Sequence, residues 1–373
     1  MVYVGSRGGI EEKLMPQANI SLLAIHCGKF RRYHKTKFLN LVDPTTIFKN
    51  LIDFKNFILG IFDSFKILRA EDPDLVFLKG GYVSLPFGIA CRLKRVPYFL
   101  HESDVIPGLA NKLLLKRAEK IFVSYPVEHY ADMPKERLVY AGNPIRKDIL
   151  EGDKKKAAEL FDLDKNLKTI LIIGGSQGAH VINELIAEKL KDYLEDFQII
   201  HIAGDYDFDW LEFKSKKVTN RERYKLFTFL SGDLKHAYAT ADLVITRAGN
   251  NVLTEVAAAK KPAIIIPLES SANDHQLANA KVYSREGAAY VMIQSHLDSG
   301  KLLRQVRSLL NDTEELNFLS GKISKFYNPD SAELIAGNLI DFYKSCSKDM
   351  LREEEASEKG HSKKSRTRKN TEK

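Results

Sequence analysis

The chain has 373 residues, enough for two domains with their own cores, and its 44% hydrophobic content is ordinary for a water-soluble globular protein. Its three cysteines, Cys27, Cys91 and Cys346, have neither paired nor metal-type spacing, which excludes a disulfide framework and fits a reducing compartment. No run approaches the roughly eighteen uncharged apolar residues of a membrane span, no signal peptide is visible, and the net charge of +8 points to an anionic partner: nucleic acid, a phospholipid surface or a phosphorylated substrate.

The chain opens on Met1-Val2-Tyr3-Val4, which reads as a buried strand, with Gly5 to Gly9 as the turn after it. Leu22 to Ile25 reads as a second strand. A basic, aromatic loop, Arg31 to Lys35, follows. Thr45 to Arg69 carries Ile47, Leu51, Phe54, Ile58, Ile61, Phe62, Phe65 and Leu68 at helical spacing, with Lys49, Lys55 and Lys66 among them. Leu75 to Leu78 is a strand that ends at Gly80-Gly81-Tyr82, and a helix runs on through Pro86 to Leu93. Tyr98 to Leu100 is a strand ending at His101-Glu102. Pro107 marks a helix start, with the helix reaching about Arg117. Ile121–Val123 and Leu138–Tyr140 are short strands. This βαβα alternation predicts a parallel sheet with helices on both faces.

Gly142-Asn143-Pro144 closes the first half, and the charged segment Glu151 to Lys168 links into the second. There an apolar β-branched run, Ile170 to Ile173, stops at Gly174-Gly175. Ser176, Gln177 and Gly178 follow, and then Val181, Ile182, Leu185 and Ile186 recur at helical spacing. Strand, glycine turn and helix start together suit a phosphate, because the turn lets backbone approach closely and the helix start offers unpaired N–H groups. The same pattern also occurs as an ordinary βα turn. Further strands are expected near 198–202, 225–228, 243–246, 263–266 and 289–292, and the last helices near 298–310, 314–325 and 331–344. The tail from Ser347 is polar, ends in a basic run, and is expected to be disordered.

Five clusters fall at predicted strand ends, where open α/β sheets hold ligands. In order, they are KGGYVSLP from Lys79, LHESDVIPGLANK from Leu100, AGNPIR from Ala141, IIGGSQGA from Ile172, and RAGNNVLTEVAAAKKPAIIIP from Arg247 with DHQLANA from Asp274. Each also has a plain structural reading: Tyr82 as a core tyrosine, His101-Glu102 as a satisfied strand end, Arg146 as a surface ion pair, Glu255 as a carboxylate near a helix start, Gln276 as a solvent-facing residue.

Their order along one chain resembles the MurG family of UDP-N-acetylglucosamine transferases, from about Val2 to about Tyr343. The resemblance implies α/β GT-B architecture, two Rossmann-like domains with parallel sheets facing a central cleft. It divides the chain into an acceptor and membrane-side domain at 1–150, a UDP-GlcNAc-binding domain at 151–346 and a basic tail at 347–373. The implied reaction inverts the GlcNAc anomeric carbon as it passes from UDP-GlcNAc to the MurNAc 4-hydroxyl of undecaprenyl-diphospho-MurNAc-pentapeptide. The implied partners are those two substrates and the anionic inner-membrane surface. Nucleic acid is not expected, and the implied place is peripheral, on the cytoplasmic side of the cell membrane. No cofactor is implied, and no Asp-x-Asp pair suggests a metal.

Carried over motif by motif, Ser176 meets the UDP diphosphate and Arg146 adds a cation beside it. Leu230 pairs its backbone with the uracil edge. Asn250, Asn251, Val252, Leu253 and Thr254 form the turn around the nucleotide, Glu255 accepts from the ribose hydroxyls, and Gln276 bonds the GlcNAc hydroxyls. Gly80, Gly81 and Tyr82 lie on the acceptor side. Asp104 stands where the family usually has asparagine, and Asn250-Asn251 replace more apolar residues. The family also opens with a strand and a glycine loop carrying a histidine. Tyr3 to Gly5 already corresponds to its second strand, so upstream sequence is expected, with a loop supplied by another chain or an impaired protein as the alternatives. Glu102 and His101 are then the nearest base candidates. Rival readings are a partner-dependent UDP-GlcNAc binder and a UDP-GlcNAc 2-epimerase or other lipid glycosyltransferase of the same fold.

Overall fold

The computed structural model describes residues 1–9, 11–28, 44–175, 178–269 and 274–346. The basic loop Arg31 to Lys35 and the tail from 347 lie outside them. The C-terminal half carries one parallel sheet. Its strands are β7 (Lys168–Ile173), β8 (Phe197–Ile202), β9 (Tyr224–Phe227), β10 (Leu243–Thr246), β11 (Ala263–Ile265) and β12 (Tyr290–Val291), in the order β12-β11-β10-β7-β8-β9. Apolar runs fill the central strands because both faces are covered. Leu171, Ile173, Ile200 and Val244 enter one core, whereas Ile170, Ile172, Ile199 and Ile245 enter the other. Register is set by pairs such as Leu243 with Ile170 and Ile170 with Ile199.

The N-terminal half also pairs only in parallel, but in two pieces. β1 (Tyr3–Ser6) and β2 (Leu22–Ile25) form one sheet. β3 (Val76–Leu78), β4 (Tyr98–Glu102), β5 (Ile121–Val123) and β6 (Leu138–Tyr140) form another in that order. The first strand starts later than its apolar letters suggest and includes Gly5 and Ser6. Tyr3 remains solvent-exposed, because no described strand covers the outer edge of β1. β4 runs through His101 and Glu102 rather than stopping before them. The helix expected from Pro107 begins at Leu109, capped by Gly108, and ends as a 3-10 turn at Leu115–Arg117.

A 28-residue helix, Pro44–Glu71, packs on β2 and on the Gly81–Lys94 helix. Its inward face mixes small, polar and apolar residues: Thr46, Asp53, Gly60 and Ser64 are buried with Leu68, and Phe57, Phe65 and Ile67 pack half-buried on the core. Gly60 is required there, since a Cβ would run into the His26 carbonyl oxygen. One stripe of large apolar side chains faces out, with Phe48 66%, Leu51 62% and Phe62 60% exposed.

The last described helix, 331–346, crosses back onto the N-terminal sheet. Ile335 joins Phe99 and Phe122 in a small core, the Phe342 and Phe99 ring centroids lie 5.1 Å apart, and Lys120 Nζ donates to Asn338 Oδ1 at 2.7 Å. The sequence alone had grouped this helix with the second half, but its apolar face matches the aromatic back of β4 and β5. Where the halves meet, Tyr283 and Phe326 stack with 4.1 Å between their rings, and Tyr125 meets both edge-on.

Candidate active site

In the C-terminal sheet, chain order reverses between β10 and β7, so the carboxyl ends of those strands flank the crevice of an open α/β sheet. β7 delivers Gly174-Gly175 to that crevice and β10 delivers Arg247-Ala248-Gly249. The turn after β7 holds tightly to the next strand: at Gly178, φ is +75° and a Cβ would meet the Ala203 carbonyl oxygen. Ser176 and Gln177 lie outside the described residues. Beyond them the His180–Glu188 helix begins.

The turn after β10 opens the Asn250–Ala258 helix. Glu255 on it is half-buried, and Tyr238 donates its hydroxyl to Glu255 Oε2 at 3.0 Å. Burial raises the Glu255 pKa, while the Tyr238 bond and the nearby Arg146 guanidinium work the other way. Arg146 is half-exposed and pairs with Asp148 Oδ1 at 3.6 Å. Asn250 Nδ2 is buried without a hydrogen-bond partner among the described residues. Asn250 to Thr254 are not a turn but the start of this helix: Leu253 is fully buried with its amide bonded to the Gly249 carbonyl at 3.0 Å, and Val252 packs on the core. Leu230 is buried after the exposed Phe229. Gln276 accepts from the Leu268 amide at 3.0 Å, which anchors it at the rim.

Across the crevice, the N-terminal half forms a cleft of about 460 Å³ lined by Phe57, the segment 79–82, Glu102, Asn111 and His275. Tyr82 is not a core tyrosine; its hydroxyl lies 3.1 Å from Ser6 Oγ, on the cleft wall. Glu102 accepts the Asp104 amide at Oε1, and the Gly108 amide and Asn111 Nδ2 at Oε2, at 2.8–3.0 Å. Burial nonetheless raises its pKa above the usual carboxylate range. His101 is fully buried, with both ring nitrogens engaged, by Lys79 at 3.2 Å and by the Gly142 carbonyl at 3.1 Å. Burial first, then the Lys79 charge, pushes its pKa down to about 3.

Several bonds join the two halves around this cleft. Asn279 Nδ2 donates to Asp104 Oδ1 at 2.8 Å, Asn279 Oδ1 accepts the Val105 amide at 3.0 Å, and His275 Nδ1 lies 3.7 Å from Asp104 Oδ2. Tyr125 donates to Asn250 Oδ1 at 2.7 Å, and Asn143 Nδ2 donates to Asn251 Oδ1 at 2.9 Å. Asp104 and Asn250-Asn251 thus stand on the seam itself. Sequence reasoning gave no role to Lys79, Tyr125, Asn143, Tyr238 or Asn279. Lys79, Asn143 and Asn279 do lie within the KGGYVSLP, AGNPIR and DHQLANA clusters, whereas Tyr125 and Tyr238 carried no local signal. Among the described residues no group of His, Cys, Asp or Glu is spaced to hold a metal.

Residues 1–123 match the glycosyltransferase family 28 N-terminal domain, and residues 169–335 match its C-terminal domain. A UDP-N-acetylglucosamine--N-acetylmuramyl-(pentapeptide) pyrophosphoryl-undecaprenol N-acetylglucosamine transferase of Bacillus anthracis is 37% identical over 313 residues, 84% of each chain. The Clostridium perfringens (strain SM101) transferase of that name is 35% identical over 345 residues, 92% of this chain and 89% of its own. The chain belongs to the MurG family. The crystal structure of Acinetobacter baumannii MurG superposes with a TM-score of 0.65 at 25% identity, covering 92% of this chain and 90% of that one. The MurG architecture, α/β GT-B with parallel sheets, is the one observed. A UDP-GlcNAc 2-epimerase from Neisseria meningitidis, with a TM-score of 0.62 at 12% identity over 91% and 90% of the chains, shares the fold alone.

Proposed function

We propose that this MurG-family glycosyltransferase moves GlcNAc from UDP-GlcNAc to the MurNAc 4-hydroxyl of the undecaprenyl-diphospho-MurNAc-pentapeptide, with inversion, in peptidoglycan synthesis. The observation that carries the reading is the opposition of two half-sites. Glu255, with Tyr238 and Arg146, stands at the switch-point crevice, and the Glu102-lined cleft stands across the seam from it. A carboxylate held by a tyrosine suits the vicinal ribose hydroxyls. Arg146, with the amides that follow β7, suits the diphosphate, whose charge grows as UDP leaves. Gln276 at the rim serves the sugar hydroxyls.

Glu102 is the stronger base of the two candidates. A raised pKa and a place on the cleft wall favour proton abstraction, although the side chain is itself buried. His101 has no free ring nitrogen to accept a proton. Glu102 takes the acceptor proton as the 4-hydroxyl oxygen bonds to the anomeric carbon and the bond to UDP breaks.

The outward face of the Pro44–Glu71 helix supports peripheral attachment to the cytoplasmic side of the membrane. Phe48, Leu51, Ile58 and Phe62 lie on one stripe with Lys55 and Lys66, an arrangement that suits an anionic bilayer surface. No helix among the described residues is long and apolar enough to cross a membrane. The test is transfer of labelled GlcNAc from UDP-GlcNAc to a lipid-linked MurNAc-pentapeptide analogue. The Glu255→Ala, Gln276→Ala double variant should lose roughly a hundredfold or more in kcat/KM, the scale of two lost polar contacts. Unchanged transfer would remove the donor assignment.

A further inference from the structure

Lys79 stands at the carboxyl end of β3, directly before the Gly80-Gly81 turn, and none of the roles above uses it. Its side chain reaches solvent within the acceptor cleft. The ammonium donates to His101 Nδ1 at 3.2 Å and to Asn143 Oδ1 at 3.1 Å. An ammonium only donates, so Nδ1 must accept. His101 is therefore the neutral tautomer that carries its proton on Nε2 and donates it to the Gly142 carbonyl at 3.1 Å. One lysine thus sets the tautomer of His101 and the orientation of the Asn143 amide.

The other end of Asn143 faces the opposite half. Its Nδ2 donates to Asn251 Oδ1 at 2.9 Å and lies 3.4 Å from Thr254 Oγ1. Both residues sit on the Asn250–Ala258 helix, which opens the nucleotide crevice. Thr254 also returns its hydroxyl to the Asn250 carbonyl at 2.8 Å. A polar line therefore runs from the acceptor cleft through Asn143 to the first turn of the nucleotide helix. Protein crowding lowers the Lys79 pKa to about 8, against the opposing pull of the Glu102 charge. The two acceptors tie down the ammonium of a residue that is otherwise exposed.

We propose that Lys79 is a positioning residue for the transfer reaction, holding Asn143 so that the nucleotide helix stays in register with the acceptor cleft. The inference deepens the transferase reading and rests on it. Without the ammonium, the Asn143 carbonyl loses its donor, and its amide is free to turn away from Asn251.

The test is calorimetric titration of UDP into the full chain and its variants, since UDP lies across the seam from Lys79. Lys79→Met should weaken UDP binding about five- to tenfold, a normal coupling between linked sites. Asn251→Ala should do the same, and the double variant should be no weaker than the weaker single variant, because both break one line. Lys79→Arg, which keeps the donors, should recover part of the loss, and unchanged thermal melting separates positioning from folding. Should Lys79→Met unfold, Lys79→Gln carries the same cycle. UDP affinity unmoved by Lys79→Met, or losses that add in the double variant, would overturn the proposal while leaving the transferase reading intact. A wild type that binds no UDP would overturn both.

Discussion

The two halves of this molecule share an element order and differ in how their sheets close. In the C-terminal half, six strands pair without a break, and β7, near the middle, is buried from Thr169 to Ile173. In the N-terminal half, β1 and β3 share no ladder, and each exposes an aromatic residue, Tyr3 and Phe77. Unpaired strand edges leave backbone groups that must find water or side chains. The nucleotide half therefore holds its crevice by a continuous ladder. The acceptor half relies on side-chain ties, such as Ser6 to Tyr82 at 3.1 Å and His26 Nδ1 to Asp63 at 2.6 Å. The bonds at Asp104, Asn143 and Tyr125 then brace the less continuous half against the more continuous one.

The largest expected effect lies in the acceptor half. Glu102→Gln should lower kcat by about a hundred- to ten-thousandfold, the worth of a general base, with UDP affinity nearly unchanged. The wild type should also show an acid limb. A base works deprotonated, and burial raises the Glu102 pKa, so activity present at neutral pH is lost as pH falls through a value above the ordinary carboxylate range. A pH–rate profile that keeps this limb in Glu102→Gln would assign the base elsewhere.

A smaller effect concerns the outward helix face. Replacing Phe48 and Phe62 together with glutamate should cut co-sedimentation with anionic vesicles by about tenfold or more and leave UDP binding untouched. Equal loss of both would show that the face supports folding rather than attachment. The smallest difference is dynamic. Amides of β1 and β2 should exchange with solvent at least about tenfold faster than those of β7 and β8, because local opening costs less at short, open-edged sheets. Equal protection would erase the contrast between the halves.

Much of the nucleotide half was legible from sequence. A β-branched run that stops at paired glycines before a helical period has few other solutions, and Glu255 follows its glycine turn at a spacing that the helix fixes. The rest was hidden because periodicity shows which side of an element is apolar, not what covers it. The Pro44–Glu71 helix carried a clear apolar stripe, yet only part of it, such as Phe65 and Leu68, packs inward, while Phe48, Leu51 and Phe62 point outward. Asp104 and Asn279 meet across 175 residues, a pairing no local pattern encodes. Phe342 finds Phe99 only because the last helix returns to the first half. The break between β1 and β3 is also non-local, since strand spacing gives strands without their neighbours.

The central claim is that the crevice between β10 and β7 holds the uridine sugar diphosphate against Glu255 and Arg146, facing the Glu102 cleft. A crystal structure of the chain with UDP-GlcNAc tests it most directly. The ribose hydroxyls should lie within hydrogen-bond distance of Glu255, with the GlcNAc ring turned toward Gln276 and the seam. A nucleotide bound away from that crevice, or with its sugar turned from the Glu102 cleft, would contradict it.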